Sequence, residues 1–238
     1  MKLKKLFILP IVLLASLTSC KDKNGSGTGG QSTPNQGADV CVNNNGTLLS
    51  SVNAGSVGTA FSGKVIVSGI KGTDLYVEDS SGAGFVYTKG SLDSSIKIGD
   101  LINLSGTISL YQMANIYQIT EPTITLEGTS CGLKDPAKVT LSQMDAYRMG
   151  RVSIDNLEVT SIAKFKTGSE DSFITVKDST GSYDIYISKR LDSTVRASID
   201  TALSAVTVGT KLNIVGAFAD YFKSPQISIT DVSQIVLS

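Results

Sequence analysis

Histidine is missing from all 238 residues. That absence excludes a Ser-His or Cys-His nucleophile pair and any histidine-ligated metal within the chain. Tryptophan is missing too, so eight tyrosines and seven phenylalanines supply every aromatic ring. Neither sign of charge is in excess, with 21 Lys and Arg against 21 Asp and Glu. A protein built chiefly to coat nucleic acid usually shows a strong basic surplus, and this balance argues against one. Ser-x-x-Lys spacings occur at Ser68/Lys71, Ser94/Lys97 and Ser161/Lys164, and "KTG" runs from Lys166 to Gly168. Serine and lysine are common enough here for such spacings to arise by chance. "KTG" lies directly behind one of them, with no room for an intervening domain and no "SDN" anywhere. The expectation is a protein that is not an enzyme and needs no cofactor and no metal. One catalytic route stays open: a carboxylate pair assembled from distant strands, as in glycoside hydrolysis.

Only one long apolar run is present, at the start. "MKLKKLFILPIVLLASLTSC" places Lys2, Lys4 and Lys5 ahead of an apolar stretch from Leu6 to Leu17, and small residues then lead to Cys20. This is the length of a signal-peptide core and well short of the ~20 residues a spanning helix needs. "LTSC" resembles the lipobox of bacterial lipoproteins. The resemblance implies cleavage after residue 19, acylation of Cys20, and anchoring in a membrane. Lys21 rather than Asp follows the cysteine, and Asp is the inner-membrane retention signal in the enterobacterial members, so the resemblance points to the outer membrane. Of the 21 basic residues, cleavage removes Lys2, Lys4 and Lys5, leaving 18 against 21 acidic ones, a net charge of −3.

From Lys21 to Asp39 the text is Gly, Ser, Asn, Thr and Gln without apolar pattern. Such a segment buries no core and reads as a tether of ~25 Å mean span. "DKNGSG" at Asp22 to Gly27 resembles the start of a calcium loop but lacks its closing acid. Cys41 and Cys131 are left as an even pair in an exported, oxidising setting. They are either one disulfide, tying the entrance of the first folded unit to its exit, or two buried free thiols. A bridge would close a loop of about 90 residues and add ~4 kcal/mol in chain-entropy terms.

The remainder says nearly the same thing twice. "VEDSSGAGFVYT" at Val77 to Thr88 returns as "VKDSTGSYDIYIS" at Val176 to Ser188. The spacing from Gly99 to Gly106 equals that from Gly209 to Gly216, and Gly106 to Tyr111 equals Gly216 to Tyr221. Repeated spacing of turn glycines marks repeated backbone demands. Each half reads as five strands, near 60–68, 74–78, 84–88, 101–109 and 118–126, then near 151–162, 172–177, 182–188, 211–219 and 226–237. Asp79 and Asp178 sit in "DSSG" and "DSTG" hairpin turns, where Asp bonds its own backbone, and turn chemistry explains them better than catalysis does. Only the second half inserts a helix between its third and fourth strands. There Leu191, Val195, Ile199, Ala202 and Leu203 share one face and Asp192 caps the start.

Strand-strand-strand-helix-strand-strand resembles the OB-fold, a five-stranded Greek-key barrel. The phrasing, with its "DSTG" hairpin, is similar to OB-like domains of Bacteroidota surface lipoproteins and secreted nucleases. The expected fold class is therefore all-β: two tandem five-stranded OB-like Greek-key barrels, the second with a helix between strands 3 and 4. The expected organisation is a signal peptide at 1–19, a lipidated tether at 20–41, a first barrel at 42–131, a linker at 132–148 and a second barrel at 149–238.

OB-folds bind mainly across strands two and three and the flanking loops. Alternation puts Leu75, Val77, Val86, Ile174, Val176 and Ile185 inside the barrels. The opposite face then carries Tyr76, Phe85 and Tyr87 in the first barrel, and Thr175, Lys177, Asp184 and Tyr186 in the second. The three aromatics are either an exposed stacking platform or the cover over a neighbouring domain. In the second barrel, Lys164, Phe165 and Lys166 fall in the loop between strands one and two. Tyr221, Phe222 and Lys223 fall in the loop between strands four and five. Basic residues interleaved with rings suit single-stranded nucleic acid, although ordinary packing over the barrel end accounts for them as well. The overall expectation is a lipid-anchored, non-catalytic binding module for single-stranded nucleic acid or a glycan. Weak single-strand binding would then depend on Phe165 and Tyr221. The competing expectation is an assembly lipoprotein that contacts another envelope protein and has no small ligand.

Overall fold

The structure, a computed structural model, describes residues 46–53, 56–222 and 224–238. Cys20, Cys41 and Lys223 lie outside the described residues, and with them the expected lipidation site and one half of the expected disulfide. Both barrels belong to one compact unit of the chain.

The first barrel comprises β1 (Ala60–Lys71), β2 (Asp74–Glu78), β3 (Ala83–Tyr87), β4 (Leu101–Tyr111) and β5 (Ile116–Gly128). They close in the order β1-β2-β3-β5-β4, β4 returning to β1. β3 and β5 are the parallel pair, with Val86 opposite Ile119. The second barrel comprises β7 (Arg151–Ser161), β8 (Ser172–Lys177), β9 (Ser182–Ile187), β10 (Lys211–Phe222) and β11 (Ser224–Ile229). Its order is β7-β8-β9-β11-β10, closed by β10 on β7, with short strands β6 (Ala137–Lys138) and β12 (Ile235–Leu237) added at the margins. The two orders are the same, so the chain is two tandem OB-like barrels. Alternation fills them as expected: Leu75, Val77 and Val86 in one core, Ile174, Val176 and Ile185 in the other, all fully buried.

A repeated plug stands in front of each barrel. The short helix α1 (Leu49–Asn53) sends Leu49 and Val52 into the first core. A 3-10 helix at Leu141–Tyr147 sends Leu141 and Met144 into the second. The hairpin aspartates hold both plugs. Asp79 accepts from the Ser81 and Gly82 N–H groups through Oδ1 (2.7 and 3.0 Å), and from the Leu49 N–H through Oδ2 (2.7 Å). Asp178 accepts from Thr180 and Gly181 through Oδ1 (2.6 and 2.9 Å), and from Leu141 through Oδ2 (2.8 Å). One carboxylate thus shapes the turn and caps a helix start, whose leading N–H groups would otherwise lack partners. Burying one such leucine contributes about 1.5–3 kcal/mol.

Two boundaries differ from expectation. The segment 132–148 is not simply a linker, because β6 pairs in parallel with β7 and the 3-10 helix plugs the second barrel. The fifth strand of the second barrel, expected as one run at 226–237, is broken into β11 and β12. A capped turn at Asp231–Gln234 interrupts it: Asp231 accepts from the Ser233 N–H (2.9 Å), and Gln234 Nε2 donates to the Gly216 carbonyl (2.9 Å). In the first barrel β5 passes the equivalent point with only a left-handed residue, Glu121.

The expected helix is α2 (Ser193–Leu203), started by Asp192, which accepts from the N–H groups of Thr194 and Val195. Leu191, Ile199 and Leu203 are buried, and Val195 and Ala202 are half-buried. Its other buried pair, Arg196 and Asp200, lies outside the apolar pattern. Arg196 bonds Asp200 (2.9 Å) and the carbonyls of Glu170 (2.7 Å) and Lys166 (2.6 Å), while Asp200 accepts from the Gly168 N–H (2.8 Å). The helix therefore pins the loop between β7 and β8.

Candidate binding cleft

Tyr76 and Phe85 are not an exposed platform. With Met149 and Phe218 they form a third apolar cluster, separate from both barrel cores, that joins one barrel to the other. The Tyr76 and Phe218 rings stack at 3.8 Å and 11°, and Phe85 meets Tyr76 edge-on at 5.2 Å. Gly69, beside a bulge in β1, makes room for this: a Cβ there would lie 2.3 Å from the Phe218 ring. Tyr76 is wholly buried and unavailable to any ligand.

Polar contacts lock the seam. Lys71 Nζ donates to Asp220 Oδ2 (2.9 Å), and the Tyr76 hydroxyl donates to the same oxygen (2.8 Å). Burial first, and the Asp220 charge second, push the Tyr76 hydroxyl well above its ordinary value, so it stays a neutral donor. Arg190 pairs with buried Asp74 (2.8 Å), and Arg151 with Glu78 (3.3 Å). All three ion pairs run from the first barrel to the second. With both partners of Lys71–Asp220 and Arg151–Glu78 largely removed from water, losing one member would strand the other.

Beside this seam a cleft of about 480 Å³ opens between the barrels. The first barrel lines it with Phe85, Tyr87 and Tyr111, the second with Phe173, Tyr186, Tyr221 and Phe222. Phe173 and Tyr186 are cross-strand partners on β8 and β9, stacked at 5.3 Å. The Tyr186 hydroxyl donates to Asp171 (3.0 Å), and burial raises its pKa. Lys71 Nζ lies 5.0 Å from the Phe85 ring centre and 5.6 Å from that of Tyr186, at cation–π range for both. Tyr221 is half-buried beneath the Arg148 guanidinium, 4.5 Å from its ring centre, and Phe222 is exposed. A second cleft of about 730 Å³ lies on the side of residues 134–151, where charges of both signs, among them Asp135, Asp145 and Arg148, line it.

The cleft thus gathers Phe85, Tyr87, Tyr186, Tyr221 and Phe222 from the residues singled out by sequence. It does not include Lys164, Phe165, Lys166 or Lys177. Phe165 packs on the core of its own barrel. Lys166 pairs with Glu170, and Lys177 with Glu158 (3.1 Å). Lys164 is exposed and stands on the loop that Arg196 holds. Of the two accounts of "KFK", packing holds for its ring. Phe173 escaped the sequence reading although it lies two residues before Thr175, on the same face of β8. Lys71, Asp74 and Arg190 left no local signal, because their partners come from the other barrel.

No protein-family model matches the chain, and no curated protein does. Solved structures match it remotely. A murine DNA-binding protein bound to double-stranded DNA shares 11% identity over 74% of this chain and 95% of that one, with a TM-score of 0.35. The p204 HINb domain shares 13% over 77% and 100%, at 0.33. A replication protein A heterotrimer bound to single-stranded DNA shares 12% over 75% and 48%, at 0.31. Likeness this slight carries no argument about function.

Proposed function

We propose that the chain is a lipid-anchored envelope protein whose two fused barrels form a non-catalytic binding module, with the aromatic cleft as its site. The observation that carries the reading is which OB face remains open. The β2–β3 face of the first barrel is covered by Phe218 of the second. The corresponding β8–β9 face of the second barrel instead presents Phe173 and Tyr186 to the cleft. That is the face OB-folds use for ligands. A cleft of a few hundred Å³ walled by rings with a few polar groups is the usual form of a binding site. The carboxylates in it are engaged structurally, Asp74 by Arg190, Asp220 by Lys71 and Tyr76, and Asp171 by Tyr186, which favours binding over acid–base chemistry.

Anchoring through Cys20 in the outer membrane, and a Cys41–Cys131 disulfide, belong to the same proposal. They rest on the "LTSC" motif and on cysteine parity. Cys20→Ala should release the protein from the membrane fraction; retention there would remove the anchor. Alkylation of both Cys41 and Cys131 without reductant would remove the bridge. The site is tested by titrating the whole chain with oligothymidylate and with glycans. A piece starting at residue 146 would lose Leu141 and Met144, the plug of its own barrel. Binding that weakens in Phe173→Ala supports the cleft. No binding by either class would favour an assembly role with a protein partner.

A further inference from the structure

We infer that the cleft takes an uncharged oligosaccharide, an inference that rests on reading the cleft as the binding site. Its charges are already matched. Among the described residues, two cationic side chains line it: Lys71 is held by Asp220 and Arg190 by Asp74. A phosphate or sulfate taking Lys71 from buried Asp220 would leave that carboxylate stranded away from water, and at Arg190 it would share a guanidinium whose charge buried Asp74 already balances. A cationic ligand fares no better, because Lys71 already occupies the ring faces of Phe85 and Tyr186.

What the cleft still offers is neutral. Gln226 lines it and is only 7% exposed, and its side-chain amide has no hydrogen-bond partner among the described residues. The amide of Gln118, half-buried on the opposite barrel, has none either. Both amides are left to pair with whatever enters the cleft. The cleft also carries the rings of Tyr87 and Tyr111, each an apolar face with a polar tip. A pyranose has that complementary form: C–H faces to lie on rings and a rim of hydroxyls that both donate and accept. An amide, likewise donor and acceptor, pairs with such hydroxyls without changing charge.

The test uses the full-length chain and its tyrosine emission, which no tryptophan obscures, together with calorimetry. Uncharged cello-, manno- and chito-oligosaccharides are compared with oligothymidylate and heparin fragments at low and moderate salt. At least one neutral sugar should bind with an affinity indifferent to salt. Gln226→Met should weaken it by roughly fivefold to tenfold, the size of one lost hydrogen bond. Tyr111→Ala, at an exposed rim position, should weaken it comparably without changing the melting temperature. Sugar binding that ignores both substitutions overturns the inference. If a charged probe binds, with the steep salt dependence of phosphate or sulfate contacts, and no neutral sugar does, the inference falls while the binding reading stands. If no probe binds, both fall.

Discussion

Tyr76 faces Phe85 across β2 and β3, while Thr175 faces Asp184 across β8 and β9. The two pairs occupy equivalent positions of the repeated hairpin. The ring pair is buried beneath Phe218; in the other pair the Thr175 hydroxyl donates to Asp184 at 2.8 Å and both residues stay half-exposed. The difference teaches how one fold, used twice, divides its labour. The first barrel surrenders its outer face to the joint and turns it apolar. The second keeps its own face polar, and at the Phe173–Tyr186 end aromatic. The same division runs through the loops. In the first barrel β1 turns into β2 tightly at Gly72, and a loop with buried Ile96 replaces the helix. The second barrel has both a long β7–β8 loop and α2, and Arg196 binds one to the other.

The largest test strikes the joint. Phe218→Ala should cost about 3–5 kcal/mol, as burial of so large a ring implies, and should split a single calorimetric transition into two as the barrels uncouple. A single transition at lower temperature would mean that the barrels are coupled by something other than the ring cluster. Next come the plugs, where the barrels should behave alike. Leu49→Ala and Leu141→Ala should each cost about 2–4 kcal/mol, and hydrogen exchange should place each loss in its own barrel. A global loss from either would erase the distinction.

The hairpin carboxylates are worth less. Asp178→Ala removes a helix cap and should cost about 1 kcal/mol near neutral pH. Burial raises the Asp178 pKa, but the N–H groups of Leu141, Thr180 and Gly181 and the Thr180 hydroxyl outweigh it and hold the carboxyl below its usual range. A depressed carboxylate stabilises the fold above its unfolded pKa, about 3.9, and that contribution is lost as pH falls through the folded value. The deficit of Asp178→Ala should therefore shrink as denaturation is followed below about pH 4; a constant deficit would deny the carboxylate its capping role. The smallest effect belongs to Lys177, exposed and paired with Glu158. Lys177→Ala should change any cleft affinity by less than about twofold, because a screened surface pair contributes little. A larger loss would move the site onto the outer face of β8 and away from the cleft.

Within the described residues, the sequence alone determined the barrel strands, α2 and the two interiors. Period-two alternation placed Val77 and Val176 inside, and an Asp followed by Gly three residues on marked each hairpin. A strand's inward face and a turn's backbone demand are local properties, written within a few residues. The tertiary structure alone decided what the outward faces do. Nothing near Tyr76 announces that Phe218, far along the chain, will stack on it, or that Gly69 leaves the space. The plugs were legible only in hindsight: "LSSV" at Leu49 and "LSQM" at Leu141 repeat an i, i+3 apolar pair too short to signal a helix by periodicity. The cleft was half legible, through rings at alternating positions, and half not, because Lys71, Asp74 and Arg190 acquire their roles only when the second barrel brings a charge of opposite sign against the first. Burial of an outward face, and the pairing of charges over it, depend on what another part of the chain covers, and local pattern holds no record of that.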